Sequence, residues 1–454
     1  MSKPITKPAA KPALARQRPA SAGPTSSVET SLKKITPARL AAFQILTLVG
    51  QNKGNSDDLL HSAHTAKLTP EDRNLATTLV MGVLRWQIAL DARIRTLLQR
   101  PEQRLAEPVA IALRIGAFQL LHLDRIPAHA ALSESVELCR AANEPHAAGM
   151  VNAILRKVAA AQKPGIRIHE SVAAFAERLG HPRWLAERWA NTWGREAALK
   201  ICEADQQEPA EGAMFREPGT DLPEDLPRMD DGSRLVAELT AAAKPDAHKV
   251  WDCCAAPGGK TLVLARRLAN ANILATDVST RRLARLEARL SRHPYAGHVQ
   301  CAVADAATTT NIPGDELFDL ILCDVPCSGT GTLARNPEIR LRLKPEELPR
   351  QAERQRAILT GALRRLAPGG RLVYSTCSLE PEECEQVVEA VTVASNLRQI
   401  PISPLMTGLA ESILSPSTDL SSALREGTLR TLPGVHPCDG FFAIVLERPQ
   451  PVEK

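Results

Sequence analysis

Between residues 250 and 446 short apolar runs alternate with helical stretches, and most runs end on an acidic or thiol-bearing loop. Val250 to Cys253 leads into a glycine loop and a helix from Thr261 to Leu268. Ile273 to Thr276 ends on Asp277, followed by a helix from Thr280 to Arg292. Val299 to Val303 precedes Asp305, and Phe318 to Cys323 precedes Asp324. A helix from about Pro349 to Leu366 stops at Pro368-Gly369-Gly370, before a strand Arg371 to Tyr374, and Gly440 to Leu446 closes the sheet edge. Strands spaced by helices predict an α/β, Rossmann-like doubly wound domain over residues 233–449.

Ligands of such a sheet bind beyond the carboxyl ends of its strands. Cys254 to Lys260, Asp277, Asp305, Asp324, Cys327 and Cys377 are therefore expected to converge there. Two segments read as buried strands opening into loops: Asp324-Val-Pro-Cys327-Ser-Gly-Thr-Gly331 and Ser375-Thr-Cys377-Ser378. Together they point to thiol chemistry on a pyrimidine base. The loop Asp252-Cys-Cys-Ala-Ala-Pro-Gly-Gly-Lys260 lets backbone approach a nucleotide-like cofactor. It lacks both the phosphate-cradle spacing and Gly-x-Gly-x-x-Gly, so S-adenosylmethionine fits better than a triphosphate or a dinucleotide. Asp277, 25 residues beyond Asp252, stands where an acid accepts hydrogen bonds from ribose hydroxyls. Each such aspartate alone also reads as a helix cap.

Ahead of this domain, residues 36–162 read as helix after helix, with apolar positions at helical spacing in Ala41 to Leu46 and Ala110 to Leu121. Arg73, Arg85, Arg93 and Arg95 fit solvated helix faces better than an RNA contact. Residues 163–232 form a helical linker and a truncated subdomain. Trp184, Trp189 and Trp193 sit there at spacings of five and four, favouring core packing over base stacking. Residues 1–35 are rich in Lys-Pro, Ala and Ser, and predict a disordered basic tail without the apolar core of a secretory signal. Residues 1–40 carry eight basic side chains against Glu29, a net +7, so a whole-chain charge of +5 leaves the body near −2. Such a tail adds salt-sensitive affinity for phosphates.

The ten cysteines fall in strand-like runs rather than in a disulfide framework, which fits a reducing cytoplasm. Their separations do not fit a zinc site, so no metal is expected. No apolar run is long enough to span a membrane.

The segments 252–260, 277–283, 324–331 and 375–378, with His436-Pro-Cys-Asp-Gly-Phe-Phe442, closely resemble the S-adenosylmethionine-dependent RNA cytosine-C5 methyltransferases of the Sun/Fmu (RsmB) and NOP group. Within that group the chain is most similar to bacterial 16S ribosomal RNA enzymes with an N-terminal NusB-like domain. Asn152-Ala-Ile-Leu-Arg156 agrees with NusB-like helices, placed at 36–162. The resemblance implies that Cys254, Ala255, Ala256, Pro257, Gly258, Gly259, Lys260, Asp277, Arg282, Asp305 and Asp324 hold S-adenosylmethionine. It implies Cys377 as the nucleophile that adds to cytosine C6, Cys327 as the residue assisting release, and Asp324 beside the base. Thiolate formation at Cys377 is expected to draw on the N-terminus of a helix from about Pro381. Members usually carry a longer RNA-contacting segment where this chain has about Glu208 to Asp231, which loosens the choice of target. RNA, most of all small-subunit ribosomal RNA, is the expected partner of a cytoplasmic monomer.

Two other readings are open to the residues. A DNA cytosine-C5 methyltransferase would use the Pro326-Cys327 pair, but needs no second loop cysteine. A non-catalytic RNA-binding or assembly factor has no use for two thiols. Within the family, tRNA is the alternative substrate.

Overall fold

The computed structural model describes residues 25–63, 65–161, 170–209, 214–216, 229–393 and 395–451. The first block is helical: α1 (Thr25–Leu32), α2 (Pro37–Gly50), α3 (Ser56–Leu60), α4 (Pro70–Leu97), α5 (Glu107–His122), α6 (Ala128–Ala141) and α7 (Ala148–Ala160). Thr69 caps α4, its hydroxyl accepting from the Asp72 N–H at 3.2 Å, with Pro70 at the first helical position. α5 is the central helix: its Ile111, Leu113 and Ile115 are buried in one core with Leu79 and Val83 of α4 and Val151 and Leu155 of α7.

The tail differs from the sequence expectation. Residues 1–24 lie outside the described residues, but Thr25–Leu32 is helical rather than disordered, and Ser31 and Ile35 are buried. Ile35 joins the core of the helical block, so packing stabilises what composition alone would not.

Three further helices, α8 (Val172–Arg178), α9 (Arg183–Trp193) and α10 (Arg195–Ala204), share a small core with Leu333, Leu379 and Leu432 of the sheet domain. Trp189 is buried in it and donates its indole N–H to Glu380 Oε1 at 3.0 Å, which is the packing role expected of this tryptophan. Most of the segment read as a truncated subdomain, 210–213 and 217–228, lies outside the described residues.

The sheet domain contains α11 (Asp231–Ala243), β1 (Lys249–Asp252), α12 (Gly259–Arg267), β2 (Asn272–Asp277), α13 (Thr280–Leu290), β3 (Val299–Val303), β4 (Phe318–Asp324), α14 (Ile339–Arg342), α15 (Glu347–Arg364) and β5 (Leu366–Thr376). It continues through α16 (Glu385–Thr392), β6 (Arg398–Ile400), α17 (Ser403–Ser412), β7 (Leu424–Arg425), β8 (Thr428–Arg430) and β9 (Phe442–Glu447). The strand order is β3-β2-β1-β4-β5-β9-β8-β7, with β6 also pairing β9. Adjacent strands from β3 to β5 are parallel, and β9 is antiparallel to β5. Apolar residues cover both faces, as a buried parallel sheet requires. Pro368-Gly369-Gly370 does not precede β5, as its turn chemistry suggested. It lies within the strand, where the pairing register with β4 shifts between Phe318 and Leu320.

The two halves of the chain are joined by arginines on backbone carbonyls. Arg85 of α4, expected on a solvated face, is buried and donates to the Ala334 carbonyl at 3.1 and 2.8 Å. Arg340 of α14 donates to the carbonyls of Arg85, Gly180, Asp205 and Leu333 at 3.2 to 3.4 Å, which ties three parts of the chain to one guanidinium. Burial pulls its pKa down to about 10, against the opposing pull of Asp205.

Candidate active site at the sheet switch point

The chain leaves β1 toward β2 and β3 on one side and places β4 and β5 on the other. A crevice therefore opens where β1 and β4 diverge. β1 delivers the loop 253–258 into it. The Ala255 N–H donates to the Thr276 carbonyl and the Gly258 N–H to the Ala255 carbonyl, both at 2.8 Å. Gly258 has φ +98°, and a Cβ there would lie 2.3 Å from Leu286 Cδ1, so the turn into α12 requires glycine.

Asp252 ends β1 in full burial. Its Oδ2 accepts from the Thr261 hydroxyl at 2.7 Å, while Oδ1 has no hydrogen-bond partner among the described residues. Burial pushes this carboxyl up to about 7, helped by the Asp324 charge and opposed by Thr261. At the end of β4, Asp324 meets Lys260 Nζ at 2.8 Å through Oδ2 and accepts from the Ser375 hydroxyl at 2.8 Å through Oδ1. Burial works against the Lys260 ammonium, but the charges of Asp324 and Cys377 outweigh it and raise its pKa.

On the other side, Asp277 Oδ1 accepts the Ser279 N–H at 2.9 Å, and Oδ2 lies 3.4 Å from Arg282 Nη1. Arg282 also donates to the Ala256 carbonyl at 2.5 Å. Asp305 accepts the Ala307 N–H at 2.9 Å. A cavity of about 470 Å³ collects Cys254, Asp277, Asp305, Asp324, Cys327 and Cys377, with Ala256 and Arg282 in its wall. A second, of about 560 Å³, has Met81 and Arg85 of the helical block on one side and Lys260, Asp324, Arg335 and Asn336 on the other. The two share Cys254, Ala256 and Asp324. Ala255, Pro257 and Gly259 line only the second, and Gly258 acts through the turn it permits.

The sulfurs of Cys327 and Cys377 are 3.3 Å apart and unbonded. Hydrogen bonding to the Cys377 sulfur, burial and the Glu383 carboxylate push the Cys327 thiol well up, so it stays protonated. The helix expected to begin near Pro381 does not reach Cys377. Pro381–Glu383 is a single 3-10 turn and α16 starts at Glu385, and the cation that interacts with Cys377 is Lys260, whose pKa Cys377 helps to raise. Gly331 ties the two loops to the segment that leads into the interior strand β9, which the sequence had placed at the sheet edge. Its N–H donates to the Cys377 carbonyl at 2.9 Å, and its carbonyl accepts from the Gly440 N–H at 2.7 Å.

Sequence reading missed Glu383, a fully buried carboxylate between the two cysteine loops. Nothing in the sequence separates it from the neighbouring Glu380, Glu382 and Glu385. It also missed Arg335, which lines the second cavity and pairs with Asp439 at 2.9 Å.

The family model of the 16S rRNA methyltransferase RsmB/F matches residues 239–447, and the NusB family model matches residues 36–160. The ribosomal RNA small subunit methyltransferase B of Xanthomonas campestris pv. campestris is 32% identical over 448 residues, spanning 90% of this chain and 96% of that protein. The chain belongs to the RsmB/F methyltransferase family. A probable ribosomal RNA small subunit methyltransferase B of Bacillus subtilis is 30% identical, over 90% of this chain and 98% of that one. The RsmB/F fold extends to the crystal structure of PH0851, with a TM-score of 0.67 at 21% identity over 91% of this chain and 99% of that one. Among the described residues, this family member has no helix long and apolar enough to cross a membrane and no cluster of three metal-ligating side chains.

Proposed function

We propose that this RsmB/F-family protein methylates C5 of a cytosine in small-subunit ribosomal RNA, with S-adenosylmethionine as methyl donor and Cys377 as covalent nucleophile. The observation carrying this reading is the pair of unbonded thiols, 3.3 Å apart, beside the Lys260–Asp324 ion pair. A binding module needs neither thiol, and a mechanism with one nucleophile leaves the second unexplained.

The first cavity suits the donor. Asp277 closes one end with a carboxylate for ribose hydroxyls, Asp305 offers an acceptor for an adenine edge, and the Gly258 turn sets the course of the loop that carries Cys254 and Ala256 into its wall. When bound there, S-adenosylmethionine supplies an electrophilic methyl group. The second cavity, between the helical block and the sheet, suits an extruded base and meets the first at Asp324.

The chain's own groups then divide the work. Cys377 adds as a thiolate to C6, with the Lys260 ammonium as the neighbouring cation, and the addition makes C5 enamine-like and able to accept a methyl group. Asp324, oriented by Ser375 and Lys260, accepts a hydrogen bond from the exocyclic amine of the base, and from N3–H once addition at C6 has left N3 protonated. A water molecule takes the C5 proton, the C5–H electron pair forms the C5=C6 double bond, and the C6–S bond breaks to expel Cys377 as a thiolate. The Cys327 thiol, protonated and 3.3 Å away, donates to that departing sulfur. The NusB-like domain and the second loop thiol favour RNA over DNA as substrate.

Trapping discriminates these roles. With S-adenosylmethionine and target RNA, Cys327→Ala should accumulate a denaturant-stable protein–RNA adduct and Cys377→Ala should form none. The reverse pattern would exchange the two assignments.

A further inference from the structure

We infer that Glu383 is a positioning residue that sets the geometry of the two thiols, an inference resting on the two-thiol reading above. Its side chain is fully buried. Oε1 accepts the Ser328 N–H at 2.8 Å and the Gln355 side-chain N–H at 2.9 Å. Oε2 accepts the Ser378 hydroxyl at 2.5 Å and also the Ser328 hydroxyl. Ser328 follows Cys327 in the chain, and Ser378 follows Cys377.

One carboxylate therefore holds both cysteine turns. No hydroxyl or ammonium does this, because four donors converge and a carboxylate alone among common side chains accepts at about four lone-pair sites. The anchor is itself fixed. The Glu383 carbonyl accepts the Tyr374 hydroxyl of β5 at 2.7 Å, and the Gln355 amide of α15 also donates to the Pro326 carbonyl at 3.0 Å. Sheet, helix and both loops thus meet at Glu383, which touches neither cavity. Its charge also helps keep the Cys327 thiol protonated.

Aspartate at this position keeps the charge but retracts the carboxylate by about one methylene, so it cannot span both turns. Glutamine keeps the reach: its oxygen can accept the two N–H groups and its amine can donate to the two serine hydroxyls. Steady-state methyl transfer and adduct trapping should be measured for Glu383→Ala, Glu383→Asp and Glu383→Gln, with S-adenosylmethionine affinity as a check on the folded site. We expect kcat to fall about 100-fold in the alanine and aspartate variants, the loss typical of a misplacement near 1 Å. KM for RNA should stay within about twofold, adduct formation should slow in parallel, and glutamine should recover at least tenfold of the loss.

A kcat within threefold of wild type in Glu383→Asp would overturn the inference, as would glutamine no better than aspartate in folded protein. If the alanine variant does not fold, the aspartate and glutamine pair decides the matter alone. Methyl transfer that survives Cys377→Ala would instead remove the two-thiol reading. Cys377-dependent transfer with an unaffected Glu383→Asp removes only the positioning role.

Discussion

Gly331→Ala adds a single methyl group at the point where the Cys327 loop touches the segment leading into β9. The new Cβ would lie 2.2 Å from the Gly440 carbonyl oxygen, 2.7 Å from its carbon and 2.8 Å from its Cα. These are backbone atoms, so no rotamer change relieves the contact. An ordinary carbon–oxygen approach of roughly 3.3 Å needs the segments to part by about 1 Å. That movement stretches the bonds from Gly331 to Cys377 and from Gly440 to Gly331, now 2.9 and 2.7 Å. Two weakened bonds at about 1 kcal/mol each, plus the strain of overpacking, suggest a destabilisation of about 2–4 kcal/mol. The same displacement moves Cys327 against Cys377 and should lower the single-turnover methyl-transfer rate about 100-fold. Urea unfolding reads the first effect, and transfer at saturating RNA reads the second. S-adenosylmethionine affinity should hold, because Gly331 lines neither cavity. Wild-type stability together with a rate within twofold of wild type would refute the reasoning.

Gly258→Ala should weaken S-adenosylmethionine binding about tenfold by calorimetry and lower RNA affinity with it, because the strain at φ +98° distorts a loop whose Cys254 and Ala256 line both cavities. Burial pushes the Asp252 carboxyl up to about 7 from the ordinary aspartate value of about 4, so the folded protein binds its proton more tightly. The stability this confers is present below about pH 4 and lost as pH rises toward 7, at up to about 1.4 kcal/mol per pH unit. Urea midpoints of Asp252→Asn should therefore gain on wild type between about pH 4 and pH 7, and a gap that does not change with pH would contradict this origin. Arg340→Met leaves four carbonyls without their donor, and thermal unfolding should show a loss of about 3–5 kcal/mol.

The sheet was legible because parallel strands buried on both faces read as apolar runs, and each run ended in a polar loop at the ligand-binding edge. The helical block was legible from periodicity, as at Ile111, Leu113 and Ile115 on α5. Long-range partnership was not. Arg85 looks like any exposed helix arginine until the Ala334 carbonyl stands opposite it, and Arg340 gains its role from three chain segments far apart in sequence. Glu383 was invisible for the same reason, since four donors from three residues define it and no spacing encodes them. The helix expected from about Pro381 is a 3-10 turn, and the nearness of Lys260 to Cys377 was not legible because Lys260 comes from another strand–helix junction. The helix Thr25–Leu32 escaped notice because the apolar face that packs it belongs to the next domain.

The most direct test is transfer of labelled methyl from S-adenosylmethionine to unmodified small-subunit ribosomal RNA by wild type and Cys377→Ala, with the product mapped by bisulfite sequencing. A single 5-methylcytosine made by wild type and absent with Cys377→Ala is the predicted result. Methyl transfer that persists without Cys377, or that appears on an atom other than cytosine C5, would contradict the account.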